Sequence, residues 1–431
     1  MLAFNLGIPI TVDYHDWYQG HSDSLCEFIG VSMNQSNNNP LSKGRLLLMS
    51  SAVSATAANL YYNQPILPQI GSDLGLTSEQ LGSIPAAGQL GYAAALLLLS
   101  PLGDTIPRRR LIAILSVLLV ASSVLAFSVS SLFMLVIACF AIGLSANITQ
   151  QLIPFAASLS TPESKGKVIG TLMTGLTVGI LLSRTLSGFI GEQFGWRAVF
   201  MMSAVLACIF GLLLYRFLPS NIPASKIPYP QLVLSMATLL KKHAALRQSA
   251  LTGAFWFASF NALWATLALH VNDSPFNYNA QQAGLFGVIA LAGIIGAKVS
   301  GSLVSKVGSR NMINVAVSLI VFGFIISGVF GDSLAGLIVG IILIDLGVFS
   351  AQVSNQVRVF SIDPAAQSRI NGVYMLGYYL GGAWGSFVGV MAFEEFGWAG
   401  VSVFSIVMLF ISFLANNAMN RSVLFDAQTS S

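Results

Sequence analysis

Two stretches of this chain about two hundred residues apart are copies of each other, and the copying runs through apolar sequence. The first, PESKGKVIGTLMTGLTVGILLSRTLSGFIGEQFGW, begins at Pro162; the second, PAAQSRINGVYMLGYYLGGAWGSFVGVMAFEEFGW, begins at Pro364. A single offset of 202 aligns Gly170, Met173, Gly175, Gly179, Glu192, Phe194, Gly195 and Trp196 with Gly372, Met375, Gly377, Gly381, Glu394, Phe396, Gly397 and Trp398. A second pair, SPLGDTIPRRR from Ser100 and GSLVSKVGSR from Gly301, aligns at an offset of 201. Both members of that pair are basic loops leaving an apolar run, so the chain reads as a duplicated bundle.

The solvent of that bundle follows from the charges. Only 8% of the residues are charged and 55% are apolar, whereas an ordinary soluble domain is roughly 25% charged. A helix crossing hydrocarbon needs about 20 mainly apolar residues, because each backbone amide must be satisfied within the segment. Twelve candidates meet this: 46–66, 80–100, 111–128, 132–155, 167–190, 198–218, 249–271, 282–304, 311–330, 334–357, 369–393 and 398–417. The three cysteines, Cys26, Cys139 and Cys208, form no disulfide framework.

Lysine and arginine accumulate on cytoplasmic loops. With the amino terminus inside, Lys43, Arg45, Arg108, Arg109, Arg110, Lys165, Lys167, Lys306, Arg310 and Arg369 all fall on one side. The opposite loops hold Arg197 beside Asp73, Glu192, Asp273, Asp332 and Glu394. Both termini are therefore expected in the cytoplasm, in a multi-pass protein of the cytoplasmic (inner) membrane. Residues 219–248 contain three prolines and no crossing run. They are expected to be a cytoplasmic linker between two six-span halves, 45–218 and 249–417, with a short amphipathic helix over Gln231–Gln248 or a solvated connector. Residues 418–431 form a cytoplasmic tail. Residues 1–44 form a polar leading tail in which Met33 is a second plausible start. Its His15, Asp16, His21, Asp23 and Cys26 match no metal-ligand spacing, so no metal is expected.

Six spans, a linker and six more with matching loops make a parallel repeat, and an even count per half requires that orientation. The residues resemble the major facilitator superfamily at several points. Ser100, Asp104, Thr105, Pro107 and Arg108–Arg110 stand in the signature loop after the second span, echoed by Gly301, Ser305, Lys306, Gly308 and Arg310. The glycine-rich fifth span and Gly195-Trp196-Arg197 are similar to the twelve-span bacterial drug and metabolite exporters. The resemblance implies an all-α membrane protein of twelve helices in two six-helix halves. It also implies that Asp104, with Arg108, Arg109, Arg110, Lys306 and Arg310, forms gating loops that hold the cytoplasmic face shut in one state. The plainer reading of the arginines is a topology anchor. The chain departs from the exporters in lacking an acid in span one, an arginine at Cys139 and the Gly-Pro step of span five, where Ile180 follows Gly179.

Charges within spans are few, and each is a functional candidate by default. Asp345 is the only carboxylate deep in a span; Arg184 lies in span five and Lys298 in span eight. Asp345 is either the group that takes up and releases a proton or a permanently paired charge, with Arg184 or Lys298 as partner. At the aligned position the first half has Gly143, so the acid has no twin. Lys298 can also reach the interface with its long stem.

Amide and aromatic side chains outline an expected central solute cavity. The first half offers Asn59, Tyr62, Asn63 and Gln64 in span one, Gln89 in span two, and Asn147, Gln150 and Gln151 in span four. The second adds Phe260, Asn261 and Trp264 in span seven, Gln352, Asn355 and Gln356 in span ten, and Asn371, Tyr374 and Tyr378 in span eleven. For each alone an interhelical hydrogen bond is an equal explanation. No phosphate-binding glycine loop with lysine, paired histidines or cysteine cluster is present, so neither an enzyme nor a cofactor is expected. The reading is a secondary carrier that moves a small organic solute by alternating access, exporting it against entering protons. Uptake, passive facilitation or a non-transporting sensor are the alternatives. Its partners are the solute, protons and the bilayer, with no nucleic acid, and a monomer suffices.

Overall fold

The computed structural model of the chain describes residues 41–220, 228–363 and 366–418. The tail residues named above, Met33 and residues 419–431 lie outside them. Lys43–Ser431 is one compact unit, and every regular element described in it is helical.

Ten helical runs are long and apolar enough to cross a membrane. The last of them contains two spans, and span one is not among the ten because its helix is broken. The last run is bent at Gly397, where φ is 61° and ψ −157°. Only glycine takes that backbone without a Cβ penalty, and it divides the run into spans eleven and twelve. Its repeat counterpart Gly195, with φ 82°, makes the same turn between Pro162–Phe194 and Trp196–Phe217.

Span one is not the continuous helix expected. Lys43–Ala58 gives way to a chain of three-residue turns over 59–66 before Leu67–Leu74 resumes. Pro65 supplies no amide hydrogen and disfavours helix at Gln64. Asn59 adds a competing bond, its Nδ2 donating to the Ala55 carbonyl at 2.8 Å. Irregular backbone survives at membrane depth only inside protein, and residues 59–66 are all buried.

The remaining spans follow in order. Span two is Ser78–Leu81 with Ser83–Leu98, three is Arg108–Ser128, and four is Leu132–Ser145 with Ile148–Ser158. Five is Pro162–Phe194, six Trp196–Phe217, seven Ala244–Asn272, and eight Ala280–Ile289 with Ala292–Val307. Nine is Ser309–Val329, ten Leu334–Phe360, and eleven and twelve are the two arms of Gln367–Asn417. Span seven thus begins earlier than expected, at Ala244, and the linker helix is Tyr229–Lys242. It buries Leu232, Met236 and Leu239 but leaves Leu240 exposed.

Packing repeats between the halves. Span one lies on five, two on four and three on six; seven lies on eleven, eight on ten and nine on twelve. The halves meet along two seams, span two with eleven and span five with eight, which the repeat relates to each other. At the end of the bundle opposite the basic loops both seams are tight. A Cβ on Gly284 would lie 2.6 Å from the Arg184 carbonyl oxygen, and one on Gly82 3.0 Å from Val390 Cβ. Small residues are what let backbones approach so closely. Toward the basic end the seams differ. Span five packs along Ala280–Ile289 but has little contact with Ala292–Val307. The seam of spans two and eleven is bridged there by the linker helix: Tyr229 donates to the Leu98 carbonyl at 2.7 Å and Arg369 to Ser235 Oγ at 3.2 Å.

Candidate central transport site

The broken middle of span one sets the site's geometry. Gln64 in the break turns its Oε1 toward span five, where Arg184 Nε donates to it at 2.8 Å. Arg184 Nη1 donates to the Ile180 carbonyl one turn back, at 3.2 Å. The guanidinium carbon sits 3.8 Å from the Trp264 ring centroid, 5.1 Å from that of Tyr61 and 5.8 Å from that of Phe260. Arginine is weakly hydrated and stacks on aromatic faces, and so tolerates such a cage better than lysine. The side chain is 1% exposed.

Asp345 is fully buried, and neither of its carboxylate oxygens has a hydrogen-bond partner. Its placement follows from helix geometry. Ile344 and Gly347 pack against span nine and Leu346 against span eight. At about 100° per residue, Asp345 is left on the face of span ten turned away from span nine. Arg184 is the charge that acts on it across the halves, yet no ion pair joins the two among the described residues. Lys298 is exposed and pairs with neither.

Around these charges the halves touch through polar and aromatic groups. Gln89 Nε2 donates to Asn261 Oδ1 at 3.2 Å, joining spans two and seven. The Tyr92 and Tyr379 rings lie 4.3 Å apart across spans two and eleven. Within the second half the cluster continues: Tyr378 stacks on Phe257 at 3.6 Å, and Phe257 on Phe260 at 5.8 Å. Tyr374 donates to Gln352 Oε1 at 2.8 Å.

Other expected cavity residues bond within their own half. Asn59 accepts from Ser203 of span six. Asn147 exchanges bonds with Ser100, and Gln151 donates to the Leu99 carbonyl at 3.3 Å, so both hold the loop after span two. Asn355 donates to the Ser249 carbonyl at 3.0 Å and accepts from Arg358 at 2.7 Å. Tyr62 lines a cleft with residues of spans five and six. Asn63 is buried with its carbonyl oxygen unpartnered. Tyr61, Tyr92 and Tyr379 were not among the expected residues. Alternation of aromatics with alanine and leucine in a helix looks the same whether a ring faces a neighbour or a site.

In the loop after span two, Ser100–Asp104 forms a 3-10 turn, and the side chain of Asp104 lies outside the described ones. Arg108 Nε donates to the Gly103 carbonyl at 3.1 Å, Arg109 covers the Tyr215 ring at 4.6 Å, and Arg110 is exposed. In the echo loop Lys306 is exposed, while Arg310 donates to Asn417 Oδ1 at 3.0 and 2.9 Å. The described side-chain bonds of both loops are made within their own halves, and the first loop also packs on the linker helix.

At the opposite end Glu192 finishes span five and reaches span eight, where its Oε2 accepts from the Ala280 amide at 3.3 Å. A carboxylate at a helix amino terminus is favoured by both the free amides and the helix dipole. Thr185 Oγ1 adds a bond to the Gly284 carbonyl at 2.9 Å. Arg184 is one residue from this latch, and its Cβ faces Gly287 of span eight. A change at the guanidinium is thus one helical turn from the seam.

The comparisons with known proteins agree with this architecture. The chain is 37% identical over 377 residues to a protein of Escherichia coli O157:H7 described as an uncharacterized transporter, YgaY, covering 88% of this chain and 96% of that one. It is 24% identical over 379 residues to the Escherichia coli inner membrane transport protein YnfM, covering 87% and 90%. Among solved structures, a bacterial homolog of the human lysosomal transporter Spinster, inward-facing and unoccupied, superposes with a TM-score of 0.70 at 16% identity, covering 86% of this chain and 96% of that one. The sequence profile of the Major Facilitator Superfamily matches residues 48–386. The chain is a membrane transporter of the Major Facilitator Superfamily.

Proposed function

We propose that this transporter is a proton-coupled carrier of a small organic solute, in which Asp345 takes up and releases the proton and the solute occupies the cluster around Arg184. The observation that carries the reading is the isolation of Asp345: it is fully buried at the centre of span ten, with neither carboxylate oxygen bonded. A permanently paired structural acid would have its partner in place, because an unpaired buried charge is strongly unfavourable. With the basic loops in the cytoplasm of a bacterial inner membrane, the tight end of the bundle faces outward. The parted span five and span eight seam then faces inward.

The exporter-like fifth span favours export against entering protons as the direction of transport. Proton and solute then occupy the site in turn. Cotransport, in which they occupy it together, is the second reading, and the free donors beside Arg184 favour it. The test is solute-driven proton movement in everted vesicles, comparing wild type, Asp345→Asn and an empty control over a panel of solutes. A pH change that wild type alone produces supports the proposal. A response equal in wild type and Asp345→Asn refutes it.

A further inference from the structure

Three buried N–H groups, on Arg184 and on two residues in contact with it, have nothing to donate to: Arg184 Nη2, Gln64 Nε2 and Trp264 Nε1. Their side chains are 1%, 1% and 3% exposed. The amide of Gln64 has only one consistent orientation, because Arg184 Nε is a donor and must face Oε1, which leaves Nε2 open. Buried donors in folded proteins are nearly always satisfied, so three open ones in one place call for an acceptor from elsewhere. The free acceptors of the site, the two Asp345 oxygens, Asn63 Oδ1 and Gln89 Oε1, satisfy none of them.

We propose that these three donors recognise the anionic oxygens of an organic monoanion, a carboxylate on a flat apolar body, and this rests on the central cluster being the transport site. The argument is one of chemical fit. Arginine stays charged and offers only donors, so a cation is repelled. A neutral solute leaves the guanidinium charge uncompensated in a site walled by rings. A carboxylate answers both the charge and the geometry. The Tyr61, Phe260 and Trp264 faces next to the guanidinium suit a planar body rather than a polyhydroxylated one.

Charge balance then links the anion to the proton. The titratable or charged groups acting on Arg184 are Asp345 from span ten and Tyr61 from span one; span eight presents Gly284 and Gly287 to it. Arg184 is the group acting on Asp345. With Asp345 ionised, the pair is neutral and an arriving anion leaves a net negative charge in the membrane. With Asp345 protonated, the anion neutralises Arg184. Anion and proton therefore bind together, so an anionic solute favours the second reading above, cotransport, over export in exchange for protons.

The test uses the purified full chain in detergent micelles. Tryptophan fluorescence and thermal melting are followed with benzoate, 1-naphthoate and indole-3-acetate, against benzamide and benzylamine. At least one carboxylate is expected to bind about tenfold tighter than the neutral amide and the amine. That binding is expected to strengthen as pH falls in wild type and to be independent of pH in Asp345→Asn. Arg184→Gln is expected to abolish it. Should that variant not fold, Trp264→Phe keeps the ring and removes one donor, with about a fivefold weakening expected. Binding of benzamide or benzylamine equal to or better than every carboxylate overturns the proposal, as does carboxylate binding unchanged in folded Arg184→Gln or Trp264→Phe. Selective carboxylate binding without proton movement in vesicles would sustain the anion site and overturn the role of Asp345. Proton movement that needs Asp345 but follows a neutral or cationic solute would do the reverse.

Discussion

The position that holds Arg184 in the first half holds Ser386 in the second, and the position that holds Asp345 in the second holds Gly143 in the first. The scaffold is symmetric in its helix pairings and seams, whereas the charges are not. Two related halves can rock about a fixed centre, but a symmetric centre would carry each charge twice. Four buried charges would be costly and could not be neutralised by one proton. On the proposed function, duplication supplies the motion and departure from it supplies the chemistry. The vacated positions have been filled differently. Gly143 packs onto the Gly88 backbone, where a Cβ would overlap the carbonyl oxygen. Ser386 is buried with its hydroxyl unpartnered.

The largest expected effects come from erasing the asymmetry. Asp345→Asn and Arg184→Gln, each tested by solute flux in reconstituted vesicles, should lose concentrative transport by at least about a hundredfold, the scale set by removing one partner of a buried charge-assisted contact. Copying the acid into the other half, Gly143→Asp, should fail structurally. Overpacking costs about 1–3 kcal/mol before the new buried charge is counted, and a melt in detergent should register it even where transport is not assayed. A mutant as stable as wild type would mean that spans two and four are looser than their glycines suggest.

The two seams give a finer comparison. Glu192 sits on the amino terminus of span eight, while its repeat counterpart Glu394 is exposed near the amino terminus of span two, where Glu79 is also exposed. Glu192→Gln should favour opening of the tight end by about 0.3 to 1 kcal/mol, a two- to fivefold shift, and Glu394→Gln should change nothing. Distances between spin labels at Gln193 and Gln281 measure this. Equal effects of the two variants would make the latch a general charge effect rather than a local bond.

The smallest effect is expected at the surface clamp of the first half. Asp73 accepts from Arg197 at 2.5 Å and from Trp196 at 3.2 Å. These bonds hold its carboxyl below the ordinary range, with the Arg197 bond the larger cause. Since the folded value is depressed, the clamp's contribution is complete above the ordinary aspartate range and is lost as pH falls through the folded value. Asp73→Asn should therefore lower the melting temperature slightly at neutral pH, less in high salt. No difference between the variant and wild type should remain in strong acid.

Much of this was legible in the sequence because repeats and charges are one-dimensional signals. The offset of 202 announced the duplication, and Arg184 and Asp345 stood out as ionisable residues in apolar runs. What the sequence concealed is direction. Span one breaks at Pro65 and span four at Ala146–Asn147, and each break rotates the side chains beyond it. Asn147 and Gln151 therefore turn to the loop after span two, and Gln64 turns to Arg184 of span five. Tyr61, Tyr92 and Tyr379 were invisible because a periodicity of rings does not say which neighbour they face. Asn261, in the unbroken span seven, bonds across the halves to Gln89, whereas Asn355, in the equally unbroken span ten, bonds within its own half.

The central claim is that Asp345 carries the proton and the solute is held without it. The most direct test is to reconstitute Asp345→Asn in sealed vesicles and measure two things with one labelled solute: exchange at equal concentrations on both sides, and accumulation driven by an imposed pH gradient. The account expects exchange to persist and accumulation to vanish. Accumulation by Asp345→Asn under a pH gradient would contradict it.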